Sequence, residues 1–220
     1  MTVIYIPGLG FDQRTFRNLK LDAVKPMYLD WIEPLDRESL DAYAARIARD
    51  IPREEPVILV GHSFGGVVSQ HIAAQRNIAL VVLISSIRSR RELPFWFRWI
   101  RPLRLHHLVR KTLILWSFPL WARMQDYENP EEQNLFRDMV SRRSDTYLKW
   151  AVEHLSDWKP PELPPSTRVF QIHGTADRML PYRFIRKPDL TLQKGGHFIV
   201  YRRAGEVADA IMQALQTLEK

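Results

Sequence analysis

The hydrophobic pattern of the chain contains three unbroken apolar runs, at residues 3–6, 56–60 and 79–84. Runs of this length without polar alternation are typical of strands that are buried on both faces of a parallel sheet. More mixed runs at residues 26–32, 168–172 and 189–193 predict three further strands. The pattern therefore predicts a mostly parallel sheet of about six strands.

Between these runs, apolar side chains recur at helical spacing. In residues 39–51 they stand at Leu40, Tyr43, Ala44 and Ile47, and Ser39 can cap the helix that they predict. Similar spacing predicts helices at residues 67–75, in two pieces over residues 131–155, and at residues 204–218. Strands that alternate with helices favour an α/β fold in which helices flank the sheet.

The middle of the chain has a different composition. Residues 88–124 are crowded with Arg, Trp, Phe, Leu and Pro, and residues 159–165 form a stiff, proline-rich linker. The strand pattern resumes only after that linker. We therefore interpret residues 1–87 and 166–220 as one split core, and residues 88–165 as a helical insertion between its halves.

The composition excludes some classes of site. The chain has 220 residues and no cysteine, so disulfides and cysteine-ligated metals are excluded. The first residues lack the features of a signal peptide, and no apolar run is long enough to cross a bilayer. These features favour a cytoplasmic protein.

The positive charge is concentrated in one segment. The net charge is +7, and residues 88–111 alone carry that excess. This segment holds one acid, Glu92, and eight cations: Arg88, Arg90, Arg91, Arg98, Arg101, Arg104, Arg110 and Lys111. Such a block is either a solvated surface or a site for an anionic membrane or an anionic substrate. No nucleic-acid recognition motif accompanies it.

One motif carries candidate chemistry. Gly61-His62-Ser63-Phe64-Gly65 matches G-x-S-x-G and lies between a predicted buried strand and a predicted helix. A sharp turn there lifts the Ser63 hydroxyl above the sheet, and it needs residues without side chains at both flanks. A serine hydroxyl at neutral pH also needs a base and a group that orients that base.

This arrangement resembles the α/β-hydrolase family, whose members order their triad as nucleophile, acid and histidine. His173-Gly174-Thr175-Ala176-Asp177 and Gly195-Gly196-His197-Phe198 each follow a predicted strand, where that family has its acid and its histidine. The resemblance implies Ser63 as nucleophile, His197 as general base and Asp177 as the acid that orients it.

The resemblance also implies an oxyanion hole. Pro7-Gly8-Leu9-Gly10 follows the first strand, as the family's oxyanion loop does, and the backbone N–H groups of Leu9 and Phe64 would be the donors. The family often has a histidine where this chain has Pro7, but amide donors do not depend on it. The family commonly has a helical cap after the strand that residues 79–84 resemble, and it usually has a strand pair before the oxyanion strand. Because this sequence starts at that strand, we expect a trimmed sheet of about six strands.

The resulting hypothesis is a hydrolase of carboxylic esters or thioesters that needs neither a metal nor an organic cofactor. A C–C bond hydrolase or lyase on the same scaffold, and a non-enzymatic module that binds a ligand or a membrane, remain as alternatives. Several rings of the insertion would either pack it onto the core or line an apolar substrate pocket; they are Phe95, Trp96, Phe97, Trp99, Trp116, Phe118 and Trp121.

The other histidines are expected to have structural roles. We predict that His62 packs under the turn, that His173 is a structural hydrogen-bonding group, and that His71 lies on the surface or in the packing. The adjacent pair His106-His107 is predicted to be a solvent-exposed part of the insertion rather than a metal site.

Overall fold

Six strands form one parallel sheet in a computed structural model that describes residues 2–21, 25–52, 56–124 and 129–218. The strands are β1 (Thr2–Ile6), β2 (Lys25–Tyr28), β3 (Val57–His62), β4 (Leu80–Ile84), β5 (Arg168–Gly174) and β6 (Leu190–Leu192), in the order β2-β1-β3-β4-β5-β6. The helices are α1 (Leu40–Ile47), α2 (Phe64–Ala73), α3 (Lys111–Met124), α4 (Pro130–Ser141), α5 (Asp145–Ser156), α6 (Ile199–Arg202) and α7 (Ala204–Gln216). The predicted sheet of about six parallel strands is confirmed.

Three predicted boundaries differ most from the structure. Helix α1 ends at Ile47 and not at residue 51. The second strand ends at Tyr28 and not at residue 32, because the chain turns away and places the Trp31 indole beneath the first loop. Helix α2 begins at Phe64, three residues before the predicted start, because it starts directly from the turn at Ser63. Helix α3 lies in the insertion that was predicted to be helical, but no helix was predicted at its position, and Pro119 lies inside it.

The sheet is covered on both faces, which explains its unbroken apolar runs. Successive side chains of a strand point to opposite faces, and on β3 Ile58 and Leu59 accordingly belong to two different hydrophobic clusters. Helices α1 and α2 pack in the cluster of Leu59, and α7 packs in the cluster of Ile58.

The segment between β4 and β5 joins both clusters. Helix α4 contributes Phe136 and Met139 to the cluster of Ile58, while α5 contributes Tyr147 and Leu148 to the cluster of Leu59. This inserted segment, residues 88–165, is thus anchored by buried side chains. Its treatment as a unit separate from the core stays a prediction.

The carboxyl ends of the parallel strands meet at one edge of the sheet, where the loops after β1, β3, β5 and β6 lie. In open α/β sheets this edge is the usual place for a ligand site. These four loops carry every residue predicted to act in chemistry. Within the described parts of the chain, no helix has the length and apolar character needed to cross a membrane.

Candidate active site

Ser63 occupies the turn between β3 and α2. Its backbone takes φ 51° and ψ −120°, a left-handed conformation that few residues other than glycine adopt. The turn is held from three sides: Ser63 N–H donates to Ile84 O at 2.9 Å, and Ser63 O accepts from Gly66 N–H at 2.9 Å and from Ser86 Oγ at 2.6 Å. The strained conformation is therefore fixed by its surroundings.

The glycines around Ser63 are required by close packing. A Cβ atom on Gly61 would lie 2.5 Å from the backbone of Gly66, and one on Gly65 would overlap the backbone oxygens of Ile6 and Pro7 at the end of β1. Gly65 therefore lets the turn lie directly against the loop that follows β1. The sequence predicted the need for small residues, and the structure adds the neighbours that impose it.

The three residues predicted as a triad are brought together. Ser63 Oγ lies 3.0 Å from His197 Nε2, and His197 Nδ1 lies 2.8 Å from Asp177 Oδ2. A carboxylate only accepts hydrogen bonds, so Nδ1–H donates to Asp177 and leaves Nε2 free to accept from the serine hydroxyl. Asp177 and His197 are both buried, while Ser63 is half-buried and reachable from outside.

Asp177 is held in its ionised form. Burial by itself raises the pKa of this carboxyl, but the neighbouring imidazoles of His197 and His173 outweigh it, so the net pKa is well below the usual value. Its Oδ1 accepts from the backbone N–H groups of Met179 and Leu180, each at 2.9 Å. The carboxylate is thus fixed in position as well as in charge.

The loops that carry Asp177 and His197 are bound to each other. Ala176 N–H donates to Gly195 O at 2.8 Å, and Lys194 N–H donates to Thr175 Oγ1 at 2.8 Å. A Cβ atom on Gly174 would overlap the carbonyl of Gly195, so glycine is required there. This contact fixes the distance between the acid and the imidazole.

His62 links the turn to the histidine loop. It is fully buried, and its Nε2–H donates to the backbone oxygen of His197 at 3.1 Å. Burial, and secondarily the nearby imidazole of His197, lower the pKa of His62 to about 3. His62 is therefore neutral, and it packs beside the turn as predicted.

His173 and His71 are also buried hydrogen-bonding groups. His173 Nε2–H donates to Leu180 O at 2.8 Å and lies 3.2 Å from Asp177 Oδ2, so it supports the acid directly.

His71 contacts Asp41 Oδ1 through Nδ1 at 2.6 Å, and its Nε2 accepts from Trp158 Nε1 at 3.0 Å. Both have the structural or packing roles that were predicted.

The prediction for the adjacent histidines of the insertion was wrong in one half. His107 is exposed, but His106 is buried and its ring lies against that of His107. His106 lies in the short helical turn Leu105–Leu108, and its Nε2 faces α5, 3.8 Å from Glu153 Oε2. Among the described residues, no group of three or more potential ligands is arranged to hold a metal ion.

Trp31 is a residue of the site region that the sequence did not single out. Its Nε1–H donates to Gly8 O at 3.0 Å, and Phe11 N–H donates to the same oxygen at 3.0 Å. The indole also packs against the ring of Phe64 in a tilted arrangement, with ring centroids 5.5 Å apart. One side chain therefore fixes both segments that carry the predicted oxyanion donors. Its position shortly after a strand, at the carboxyl edge, was the available signal.

A small apolar cleft opens beside Ser63 and His197. Its volume is about 40 Å³, and its other lining residues are Phe64, Val67, Phe97, Leu155, Met179 and Leu180. Phe97 and Leu155 come from the inserted segment, which therefore forms part of the cleft wall. Apart from Ser63 and His197, every side chain at the cleft is apolar.

The rings of the insertion divide into two groups. Phe118 is fully buried and Phe97 is half-buried at the cleft. The exposed rings are Phe95, Trp96, Trp99 and Trp116. The side chain of Trp121 lies outside the described residues.

A parallel sheet flanked by helices, with a serine on a strained strand-to-helix turn and its histidine and aspartate in the following loops, defines an α/β hydrolase. The model of the alpha/beta hydrolase family matches residues 3–210. The chain belongs to this family. No curated protein sequence matches it.

Solved structures share the fold at low sequence identity. An esterase from Thermogutta terrifontis, with malate bound, is 16% identical over 100% of this chain and 91% of its own, with a TM-score of 0.70. MenH from S. aureus is 16% identical over 100% and 95%, with a TM-score of 0.71. The esterase EaEST from Exiguobacterium antarcticum is 14% identical over 98% and 92%, with a TM-score of 0.73. At such identities the likeness concerns the fold.

Proposed function

We propose that this α/β hydrolase is a serine esterase or thioesterase that works through an acyl-enzyme on Ser63. The observation that carries the proposal is the continuous hydrogen-bonded chain from Ser63 Oγ through His197 to Asp177, at 3.0 and 2.8 Å. These separations lie within the range for proton transfer between a nucleophile and its base.

In the first half-reaction, Ser63 Oγ attacks the substrate carbonyl carbon while its proton passes to His197 Nε2. Asp177 stabilises the resulting imidazolium through Nδ1–H. The tetrahedral intermediate then collapses, and the departing alcohol or thiol takes the proton from Nε2. In the second half-reaction, water gives a proton to Nε2 and attacks the acyl-enzyme carbonyl. The bond to Ser63 Oγ then breaks as Oγ takes that proton from Nε2, which releases the carboxylic acid and restores the serine hydroxyl.

The oxyanion would be bound by the backbone N–H groups of Leu9 and Phe64. Phe64 is the first residue of α2, where N–H groups lack partners within the helix and the helix dipole favours negative charge. Leu9 lies in the loop that Gly65 allows to approach the turn. Two fixed amide donors of this kind contribute a large share of rate enhancement in acyl transfer.

The cleft supports a substrate with a small apolar group beside the carbonyl. By the same measure of volume, one water occupies about 10–15 Å³, so about 40 Å³ accepts a group of about three or four heavy atoms. We therefore propose short-chain acyl groups as the substrate class. Of the residues that line the cleft, only the proposed base, His197, has an acidic or basic side chain.

A series of p-nitrophenyl esters, with matched thioesters, tests this proposal. We expect kcat/KM to be highest for acyl chains of about two to four carbons and to fall about tenfold by eight carbons, since each extra methylene needs room that the cleft lacks. Phe97→Ala should raise kcat/KM for the eight-carbon ester. Phe95→Ala, on the same helical turn but exposed, is the matched control and should change nothing.

Two alternatives give different results in that series. A C–C bond hydrolase or lyase would turn over neither esters nor thioesters yet cleave a 1,3-diketone in a Ser63-dependent way. A binding module without enzymatic activity would turn over none of these compounds. Equal kcat/KM for acyl chains of two to twelve carbons would support the esterase activity and contradict the proposed short-chain specificity.

A further inference from the structure

We propose that a surface of the inserted segment binds anionic lipid bilayers. This basic face consists of the exposed residues between Arg91 and Leu120. Large apolar side chains stand out from it with much of their surface in water: Phe95, Trp96, Trp99, Leu103, Leu105, Leu108, Leu113, Trp116 and Leu120. So many exposed apolar side chains within one segment are typical of an interaction site on a folded protein.

Helix α3 shows the arrangement most clearly. Phe118 and Ala122 point into the core, whereas Leu113, Trp116 and Leu120 recur at helical spacing on the opposite side. Trp116 is 80% exposed. The helix therefore has apolar side chains on its outer face as well, where a water-facing helix would carry polar ones.

The charges of the basic face all have one sign. Between Glu92 and the end of α3 at Met124 there is no aspartate or glutamate. Glu92 itself is buried, and its carboxylate accepts from Arg88 N–H and from Gln171 Nε2, so it does not face outward.

Most cations of the face are available to a ligand. Within the described residues, Arg101 pairs with Asp157, but Arg98, Arg104 and Arg110 form no ion pair, and all three are exposed. These guanidinium groups are interleaved with the exposed rings along the chain. A surface that is both apolar and cationic is complementary to the headgroup region of an anionic bilayer.

The aliphatic side chains favour lipid over the other polyanions. A nucleic acid offers phosphates to the arginines and bases to the rings, but it offers nothing to leucines such as Leu103, Leu108 and Leu120. A bilayer takes rings and aliphatic chains at the interface and pairs guanidinium groups with lipid phosphates. Because no described helix can span a membrane, contact would be with the bilayer surface.

The basic face lies next to the cleft. On the single helical turn Phe95–Trp99, Phe97 lines the cleft beside Ser63 while Phe95, Trp96 and Trp99 are exposed. A bilayer on this face would lie beside the cleft wall. The proposed docking does not depend on the proposed reaction, since it rests on side chains that do not touch Ser63 or His197.

Co-sedimentation of the full chain with vesicles tests the proposal. We expect binding to phosphatidylcholine vesicles that contain phosphatidylglycerol, no binding to phosphatidylcholine alone, and weakening at high salt because the cations are exposed. The double variant Arg98→Gln/Arg110→Gln should bind about 30-fold more weakly, from the contribution of each cation at an anionic surface. Trp116→Ala should weaken binding on the order of tenfold.

Lys20→Gln/Arg49→Gln is the matched control, since it removes the same charge from exposed positions outside the basic face. It should bind within about twofold of the unchanged protein, because a surface charge acts mainly within a Debye length. Equal losses in the two double variants would overturn the proposal, as would equal binding to neutral and anionic vesicles. Failure to bind either vesicle, with concentration-dependent dimerisation through the same residues, would also overturn it.

A second readout separates docking from catalysis. Brominated lipids should quench tryptophan fluorescence on binding, because Trp96, Trp99 and Trp116 are exposed whereas Trp31, Trp150 and Trp158 are buried. Hydrolysis of a water-soluble ester by Arg98→Gln/Arg110→Gln should be unchanged. Vesicle binding without any ester hydrolysis would support the proposed membrane binding and contradict the proposed esterase activity.

Discussion

The carboxyl edge of the sheet and the basic face differ in the burial and the bonding of their side chains. At the edge, Asp177 and His197 are buried and each is held by named hydrogen bonds. On the basic face, Trp116 and Leu120 remain in water and Arg98 and Arg110 have no ion pair among the described residues.

This difference indicates two kinds of recognition. The edge is built to a fixed geometry, in which a shift of one atom would break the path from Ser63 to Asp177. On the basic face, many exposed rings, leucines and arginines would contribute to binding together. No single side chain there should account for all of the affinity. Substitutions at the edge should therefore produce large, all-or-none effects, and those on the face graded ones.

The largest expected effect is the loss of activity in Ser63→Ala. We expect turnover of the best short-chain ester to fall at least about a thousandfold, with the fold intact, because the proposed nucleophile is removed. Ser117→Ala, whose hydroxyl bonds only to its own helix on α3, is the matched control. Residual activity near that of the control would remove Ser63 from the mechanism.

A buried and an exposed tryptophan should differ in their contribution to the free energy of unfolding. Trp158 is 2% exposed and donates to His71, so Trp158→Ala should lower the free energy of unfolding by about 3–5 kcal/mol. Trp116→Ala should lower it by less than about 0.5 kcal/mol, because the ring is already in water. Denaturant titration measures both. A comparable loss in Trp116→Ala would mean that the face is packed in solution.

A smaller effect concerns the pH dependence of stability. The pKa of His62 is about 3 when folded and about 6.5 when unfolded, so only the unfolded chain takes up a proton between these values. The contribution of His62 to the free energy of unfolding is therefore fully present above pH 6.5 and is lost as the pH falls towards 3. His62→Asn should reduce this slope by up to about 1.4 kcal/mol per pH unit.

The amide of an asparagine at position 62 stands near the place of Nδ1 and does not reach the backbone oxygen of His197, which Nε2 contacts. The variant therefore also loses that contact, and only the pH slope, not the absolute stability, is compared. His107→Asn is the control, since it changes an exposed histidine of the inserted segment. Urea titrations between pH 7 and pH 4.5 give the slope. An unchanged slope in His62→Asn would show that this side chain is not the buried neutral group that the structure describes.

Local sequence predicted the sheet, and it singled out three residues that the structure brings together. The apolar runs marked the strands because both faces of a parallel sheet are covered, and Gly61 and Gly65 marked the turn at Ser63. Ser63, Asp177 and His197 could be selected as candidates because each follows a strand, and parallel strands bring such loops to one edge.

Tertiary placement decided what the sequence could not predict. The cleft is formed by Phe97, Leu155 and Met179, which lie far apart in sequence and meet only when the inserted segment packs. Helix α3 was missed because its apolar residues occur on both faces and Pro119 interrupts the usual pattern. The reach of Trp31 to Gly8 likewise depends on where the chain turns after β2.

The central claim is that Ser63 is a nucleophile activated by His197. Labelling of the folded protein with a fluorophosphonate, followed by mass spectrometry of the digest, tests it most directly. We predict a single adduct on Ser63, lost after heat denaturation and formed much more slowly in His197→Ala. An adduct on another residue, or the same labelling rate in His197→Ala, would contradict the account.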